Sequence, residues 1–469
     1  MRIEELNMIY FLGIGGIGMS ALAHWCQRQG IDIAGYDRTE SSITRSLEKQ
    51  GVPISYEDRK ETIPRKLLEE TTGKLVVYTP AIPSDNEISK TLKAHSLTFL
   101  KRSQMLGIIS KPYFTVAVAG THGKTTTSSI IGHLLKHSGR PCTAFIGGIT
   151  QNYQSNLLMD SEPPGEQILV VEADEYDRSF LTLQPDIAVI TAMDADHLDV
   201  YGDSKQMQES FKEFVGKIKP GGKLFINNRI YNLLKDYVKA GVSVYSYGIE
   251  SGIFKAINIT VKDSKFIFDI QSPKINMDQL NLNMPGFHNV ENAMSAIAVG
   301  WSLGLDEKEI REAIASYSGV KRRFEFIINQ PELVFIDDYA HHPVEIKALL
   351  YSVKRLYPNR KITAIFQPHL FTRTRDFYLE FANSLSLATE VLLLDIYPAR
   401  EKPIPGVSSN LIATELTVPF ELSNEENICE LVAERQLEVV LTIGAGDIDQ
   451  LVGPIKNVLI NQAQNDSKK

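Results

Sequence analysis

Cysteine is scarce, with three in 469 residues, and Cys26, Cys142 and Cys429 stand far apart with no C-x-x-C pair among them. A disulfide framework and a structural zinc site are both disfavoured. Long apolar runs are also missing, since no segment approaches the roughly 18 residues a membrane span needs. Basic excess is absent too. Lysine and arginine number 49 against 57 acids, a net charge of -8, so nucleic acid is not the expected partner, although local basic pockets for small anions remain open. The opening "MRIEELNMIYFLG" lacks the basic, apolar and small-residue order of a signal peptide, and a cytoplasmic protein is expected.

What is present is the composition of a globular protein, 43% hydrophobic and 23% charged, long enough for two to four domains. The first hundred residues alternate strands ("MIYFLG", "IDIAGYD", "KLVVYTPAI") with helical stretches, a βαβαβ order that predicts a parallel sheet. "GIISKPYF" reads as a link to a second unit that opens with strand "FTVAVAG" and continues through "ILVVEAD", "DIAVITAM" and "KLFINN". From about 243 to 285 the pattern becomes a period-2 alternation, predicting an antiparallel insertion. A third unit repeats the α/β style with "LVFIDDY", "ITAIFQP", "EVLLLDIY" and "EVVLTIGAG". Three α/β domains in series follow, with expected bounds 1–107, 108–319 and 320–469.

Two glycine-rich turns carry the chemistry. "FLGIGGIGMSALA" places Gly13, Gly15, Gly16 and Gly18 between a strand and a helix in G-x-G-x-x-G spacing. Asp37 follows about 20 residues later, where dinucleotide folds keep a ribose-binding acid. That fingerprint alone would read as a dehydrogenase. "AGTHGKTTTSS" is a triphosphate turn, with Gly120, Thr121, His122 and Gly123 offering backbone N–H groups at a helix N-terminus. Lys124 would reach the β- and γ-phosphates, Thr125 would offer its hydroxyl to Mg²⁺, and Thr126 follows. Val118 stands where the longer Walker pattern has glycine, so the motif is a shortened variant.

Metal ligands belong on neighbouring strand ends. "VVEADEYDRSF" supplies Glu172, with Asp174, Glu175 and Asp177 behind it, and "DADHLDVYG" supplies His197. Mg²⁺ prefers oxygen, which favours Glu172 over His197. "PGFHNVENAMSA" sets His288, Asn289 and Asn292 at a helix start, where Asn289 either caps the helix or serves a ligand and Asn292 could meet an adenine edge. In the third unit, Arg322 and Arg323 precede a strand ending in Asp337, Asp338, Tyr339, His341 and His342, and His369, Arg373 and Arg375 follow the next strand. Such groups beyond strand ends suggest a ligand site, the arginines suiting phosphates or carboxylates. Arg322 reads as a plain surface charge.

Taken together, "GTHGKTTT", "EADEYDRSF", "DHLDVYG", "HNVENA", "RRFE", "DDYAHHPVE" and "QPHLFTRTRD" resemble the Mur ligases of peptidoglycan synthesis along essentially the whole chain. The resemblance implies a Rossmann-like N-terminal domain for a UDP-sugar, a P-loop-type central ATPase domain and a Rossmann-like C-terminal domain. It implies ATP and Mg²⁺ as cofactors, UDP-N-acetylmuramate and L-alanine as substrates, and amide formation through an acyl phosphate. A monomer or weak homodimer is expected. A branch that attaches a recovered murein tripeptide to the same sugar is the alternative, and an oxidoreductase or a non-catalytic nucleotide switch are more distant ones.

By resemblance, Lys124, Glu172, His197, His341 and Arg373 are catalytic, and Thr125, Glu172 and His197 hold the metal. His288, Asn289 and Asn292 lie near adenine, while Arg323 and Asp338 reach ATP from the third domain. Tyr339, His341 and Arg373 line the amino-acid and acyl-phosphate side. Two positions depart from the pattern: Leu370 stands where many members have arginine, and Phe371 replaces tyrosine. Lys212 stands at roughly the distance at which other branches carry a modified lysine, and no role is assigned to it.

Overall fold

The computed structural model describes residues 3–69, 72–194, 204–262, 265–399 and 401–466. Three sheets organise them. The first comprises β1 (Met8–Leu12), β2 (Asp32–Tyr36), β3 (Ile54–Ser55), β4 (Lys74–Tyr78) and β5 (Thr98–Lys101), in the order β3-β2-β1-β4-β5. Every pairing is parallel, as the βαβ alternation predicts. Strand β1 is buried at all five positions, which explains its unbroken apolar run. Its glycine turn leaves the carboxyl end where the strand order changes direction, the usual place for a ligand in such sheets.

The middle sheet has ten strands. These are β6 (Phe114–Ala119), β7 (Cys142–Thr150), β8 (Ser155–Met159), β9 (Ile168–Glu172), β10 (Ile187–Ile190), β11 (Lys223–Asn227), β12 (Ser243–Ile249), β13 (Phe254–Lys262), β14 (Lys265–Gln271) and β15 (Met277–Leu282). They lie in the order β15-β14-β13-β12-β11-β10-β6-β9-β7-β8. β6 runs parallel to both β9 and β10, so the triphosphate turn is flanked by the ends of those two strands. The hairpin β7–β8 is antiparallel and makes the sheet mixed. β12 pairs in parallel with both β11 and β13, so the antiparallel pairing expected from about 243 is not present on either side of β12. In β14 burial alternates residue by residue, the signature of a strand with one wet face.

The third sheet holds β16 (Glu325–Asn329), β17 (Val334–Asp338), β18 (Ile362–Phe366), β19 (Glu390–Leu393), β20 (Phe420–Leu422) and β21 (Val439–Ile443), ordered β16-β17-β21-β18-β19-β20. Only β16 is antiparallel to its neighbour.

The chain divides into two compact units. One takes 1–258, 268–281 and 291–318, and the other takes 259–267, 282–290 and 319–469. Inside the first, a continuous hydrophobic cluster joins Phe11, Ile14, Met19 and Leu22 to Phe145, Leu157, Val171 and Phe180, so the first two sheets share one core. The stretch read as a link is helical to Ser110: the helix Arg102–Ser110 starts where the Gln104 side chain accepts from the Lys101 N–H at 2.8 Å. A capped first turn outweighs the weak helix propensity of Gly107 and Ser110. No helix among the described residues is long and apolar enough to cross a membrane.

Candidate active site

The first glycine turn is built for close approach. Gly13 has φ +85°, and a Cβ there would stand 2.4 Å from Thr79 Cγ2. Gly15 donates its N–H to Asp37 Oδ2 at 2.8 Å, while Asp37 Oδ1 accepts from the Thr39 N–H at 3.2 Å. Asp37 therefore fixes the turn, whatever else it meets. Gly16 is exposed, and Gly18 lies in the first turn of the helix Ile17–Arg28, leaving backbone donors at a positive helix end.

The second turn is enclosed by side chains. Gly123 has φ +78°, and its missing Cβ would stand 2.4 Å from Asn292 Oδ1, so Asn292 closes over the loop from a segment far along the chain. Lys124 opens the helix Lys124–His137, and its ammonium donates to Gly120 O at 2.7 Å and to the buried Glu175 carboxylate at 2.9 Å. Burial works to lower its pKa, but Glu175, Asp174 and Glu172 more than offset this and hold the ammonium well above its ordinary range.

The Thr125 hydroxyl donates to Glu172 at 2.9 and 3.1 Å, and the Gly147 N–H also reaches Glu172 at 2.9 Å. Two oxygen donors thus meet beside the phosphate turn, a set that suits a hard cation such as Mg²⁺. His197, the third expected ligand, lies outside the described residues. Among the described residues no cluster of three or more acidic, histidine or cysteine side chains is gathered for a metal. The Thr121 hydroxyl accepts from the Asp194 N–H at 3.1 Å, His122 Nε2 lies 3.5 Å from Asp194, and Thr126 is buried. Lys212 is elsewhere, against Glu209 at 2.7 Å and over the Tyr237 ring.

The helix carrying the asparagines starts at Phe287, so Asn289 lies within the first turn and donates from Nδ2 to Pro285 O at 2.6 Å. Among the described residues His288 Nδ1 meets no hydrogen-bond partner, and desolvation, aided by Arg323 and opposed by Glu345, pushes the imidazole down to about 4.

In the second unit, β17 delivers Asp337 and Asp338 to different tasks. Asp338 accepts from the N–H groups of Phe324 at 2.7 Å and Ala340 at 2.8 Å, and burial pushes it up to about 6 against the pull of Arg323. Arg322 is not the surface charge its sequence context suggested. It pairs with buried Asp337 at 3.2 Å, donates to Gly444 O at 2.6 Å and lies with Arg323 against the Tyr339 ring. Asp337 also accepts from the Thr442 hydroxyl at 2.7 Å, which makes it an anchor. His341 Nδ1 lies 3.0 Å from Tyr339 O and its ring meets His369, which stacks on Tyr397 and lies 3.4 Å from the Arg373 guanidinium. Tyr339, His341 and Arg373 are thus linked through His369. Leu370 is buried at φ +74°, so this position contributes no charge.

Arg102 and Asn156 were missed by sequence reasoning, while Glu175 and His369 were named within their clusters without an individual role. Glu175 stood in the quoted acid cluster, whereas Arg102 and Asn156 belong to no motif.

Comparison with known proteins gives a consistent picture. Residues 8–114 match the Mur ligase family catalytic domain, 118–300 the Mur ligase middle domain and 322–446 the Mur ligase glutamate ligase domain. The chain is 45% identical over 466 residues to a UDP-N-acetylmuramate–L-alanine ligase of Christiangramia forsetii, covering 98% of this chain and 100% of the relative. It is 46% identical over 460 residues to the same-named protein of Flavobacterium psychrophilum, covering 98% and 99%. The fold is similar to the crystal structure of UDP-N-acetylmuramate-alanine ligase from Thermotoga maritima, with TM-score 0.80 and 28% identity over 98% and 99% of the two chains.

Proposed function

The chain belongs to the Mur ligase family, and from that premise we propose that it joins L-alanine to the lactyl carboxylate of UDP-N-acetylmuramate at the expense of ATP. The carrying observation is the second glycine turn. Thr125 meets Glu172 at the end of β9 and Lys124 meets Glu175 just beyond it, in a chain 45% identical from end to end to alanine-adding ligases.

The γ-phosphoryl group passes from ATP to a carboxylate oxygen, the bond to the β–γ bridging oxygen breaks and ADP leaves, giving an acyl phosphate. The alanine nitrogen then attacks the acyl carbon, phosphate leaves, and the nitrogen gives up a proton. Joining two anions needs charge neutralisation, which Lys124 supplies at the β- and γ-phosphates. Thr125 and Glu172 would hold Mg²⁺ with His197, and the ion would add charge neutralisation at the transferring group. Gly120, Thr121, His122, Gly123 and Thr126 cradle phosphate. His288, Asn289, Asn292, Arg323 and Asp338 are assigned to the nucleotide, and Tyr339, His341 and Arg373 to the amino acid and acyl phosphate. Gly13, Gly15, Gly16 and Gly18 take the sugar nucleotide's diphosphate, with Asp37 holding their turn. We assign domains to 1–107, 108–319 and 320–469 and place the protein in the cytoplasm as a monomer or weak homodimer.

Phosphate release across a panel of amino acids and peptides tests the reading. Release should require both UDP-N-acetylmuramate and L-alanine. Turnover with murein tripeptide but not with alanine would overturn it.

A further inference from the structure

One side chain touches both glycine-turn neighbourhoods within the first compact unit. Arg102 opens the helix Arg102–Ser110, and its guanidinium occupies the space beside Gly18, where an added Cβ would stand 2.9 Å from Nη1 and 3.1 Å from Cδ. Its other arm, Nη2, donates to Asp174 Oδ2 at 3.0 Å. Asp174 sits between the two acids of the triphosphate site: Glu172 precedes it by two residues and Glu175, which holds Lys124, follows directly.

Both ends of this tether are firmly seated. Asp174 Oδ1 accepts from the Tyr176 N–H at 3.1 Å and Asp174 O from the Phe180 N–H at 2.8 Å, while Thr182 Oγ1 ties the acid segment to Ser103 O at 3.0 Å. At the other end, Asn156 Nδ2 reaches Ile17 O at 2.6 Å and Ser20 Oγ at 2.9 Å, pinning the helix turn that contains Gly18. A guanidinium beside a helix N-terminus is opposed by the helix dipole. Asp174 offsets that on one side only, and the side chain remains 24% exposed. The open side fits an anionic oxygen, which a guanidinium binds with two N–H groups in a fixed fork.

We propose that Arg102 is a positioning residue of the ligase reaction, which meets an anionic group of the sugar nucleotide at the first glycine turn and, through Asp174, sets the acid turn that holds Lys124 and Thr125. The inference rests on the functional reading above. Occupancy of one turn then changes affinity at the other, and linkage requires the effect to be reciprocal.

The test is binding of a non-hydrolysable ATP analogue by titration calorimetry, with and without UDP-N-acetylmuramate, on the full chain and on Arg102→Lys, Arg102→Gln and Asp174→Asn, each first shown by thermal unfolding to be folded. The unsubstituted chain should bind the analogue about fivefold or more tightly in the presence of the sugar nucleotide, within the usual range of coupling. Asp174→Asn should keep sugar-nucleotide binding and lose the coupling. Arg102→Gln should lose both, and Arg102→Lys should recover part of the binding without the coupling, because a point charge cannot bridge two partners in fork geometry. Unchanged coupling in Asp174→Asn, or unchanged sugar-nucleotide affinity in Arg102→Gln, overturns the inference alone. An unsubstituted chain with no ligase activity overturns the functional reading and this inference together.

Discussion

The two glycine turns look alike in sequence and are held in different ways. After β1 the turn is fixed by backbone bonds and one carboxylate: the N–H groups of Gly13 and Ile14 donate to Tyr36 O, and that of Gly15 to Asp37. After β6 the turn is enclosed by side chains from distant segments, namely Glu172, Glu175 and Asn292. The first offers backbone N–H groups with the Arg102 guanidinium at its edge beside Gly18, and the second sets the Lys124 ammonium and oxygen donors for a metal inside the turn. A glycine pattern therefore specifies how closely a backbone can approach a diphosphate, and the neighbouring side chains specify what is done to it.

The largest effect should come from removing that charge. Lys124→Met should lower turnover by at least about a thousandfold, since the lysine acts on charge that moves during phosphoryl transfer. The same change takes the ammonium away from the fully buried Glu175, which should cost stability by up to roughly 3–5 kcal/mol. The double variant Lys124→Met with Glu175→Gln should recover most of that stability and none of the activity, as read by urea unfolding beside phosphate release. If the double variant regains turnover, the lysine is a structural partner only. Binding of UDP-N-acetylmuramate should be unaffected in both.

A crossed pair of substitutions separates the turns at smaller amplitude. In Gly15→Ala the new methyl would stand 2.9 Å from Asp37 Oδ2 and 2.7 Å from Thr44 Cγ2, so the hydrogen bond that fixes the first turn must shift. We expect KM for the sugar nucleotide to rise by about tenfold or more, equivalent to roughly 1.4 kcal/mol, with KM for ATP unchanged. Gly123→Ala meets Asn292 Oδ1 at 2.4 Å and a positive φ, and should do the reverse. Equal effects on both substrates in either variant would mean that the turns are not separate sites.

Much of this arrangement is legible in the sequence because local rules generate it. Buried parallel strands read as apolar runs, and glycines that follow them mark the turns. Thr125 and Glu172 are predictable partners because the acid stands where β9 ends. The Lys124–Glu175 and Arg102–Asp174 pairs are not predictable in this way, since they join residues 51 and 72 positions apart with no shared motif. Arg322 was misread for the same reason: its partner Asp337 becomes visible only when β17 brings that carboxylate inside. Among the strands that went unread, β3 with two residues and β20 with three are edge strands too short to show a period, whereas β5, β7, β8 and β16 are longer and were passed over because no glycine motif follows to mark them.

The smallest expected effect concerns how the second turn's helix is anchored. His133 lies on the helix that Lys124 begins, about two and a half turns along. Its Nε2 faces Ala313 O and Ser316 Oγ, each at 3.1 Å, and its Nδ1 meets the Tyr153 hydroxyl at 2.9 Å. A carbonyl opposite Nε2 requires the proton there, so Nδ1 accepts from Tyr153 and the ring is neutral. Burial, with His137 beside it, pushes the imidazole down to about 4 from 6.5. The unfolded chain therefore takes up a proton first as pH falls. The contribution of His133 to stability is full above about 6.5 and is lost progressively towards 4, by an upper limit of about 3 kcal/mol. The helix after the first turn is anchored instead by uncharged contacts, Ser20 Oγ to Ile17 O and Asn156 Nδ2 to both, while its own histidine, His24, is also pushed down by burial but takes no part in those contacts. His133→Asn should cost about 1–3 kcal/mol at pH 7.5 through the lost hydrogen bonds and should flatten the fall in urea-unfolding free energy between pH 6.5 and 4. An undiminished slope in that variant would place the acid sensitivity elsewhere and leave the two helices equally anchored.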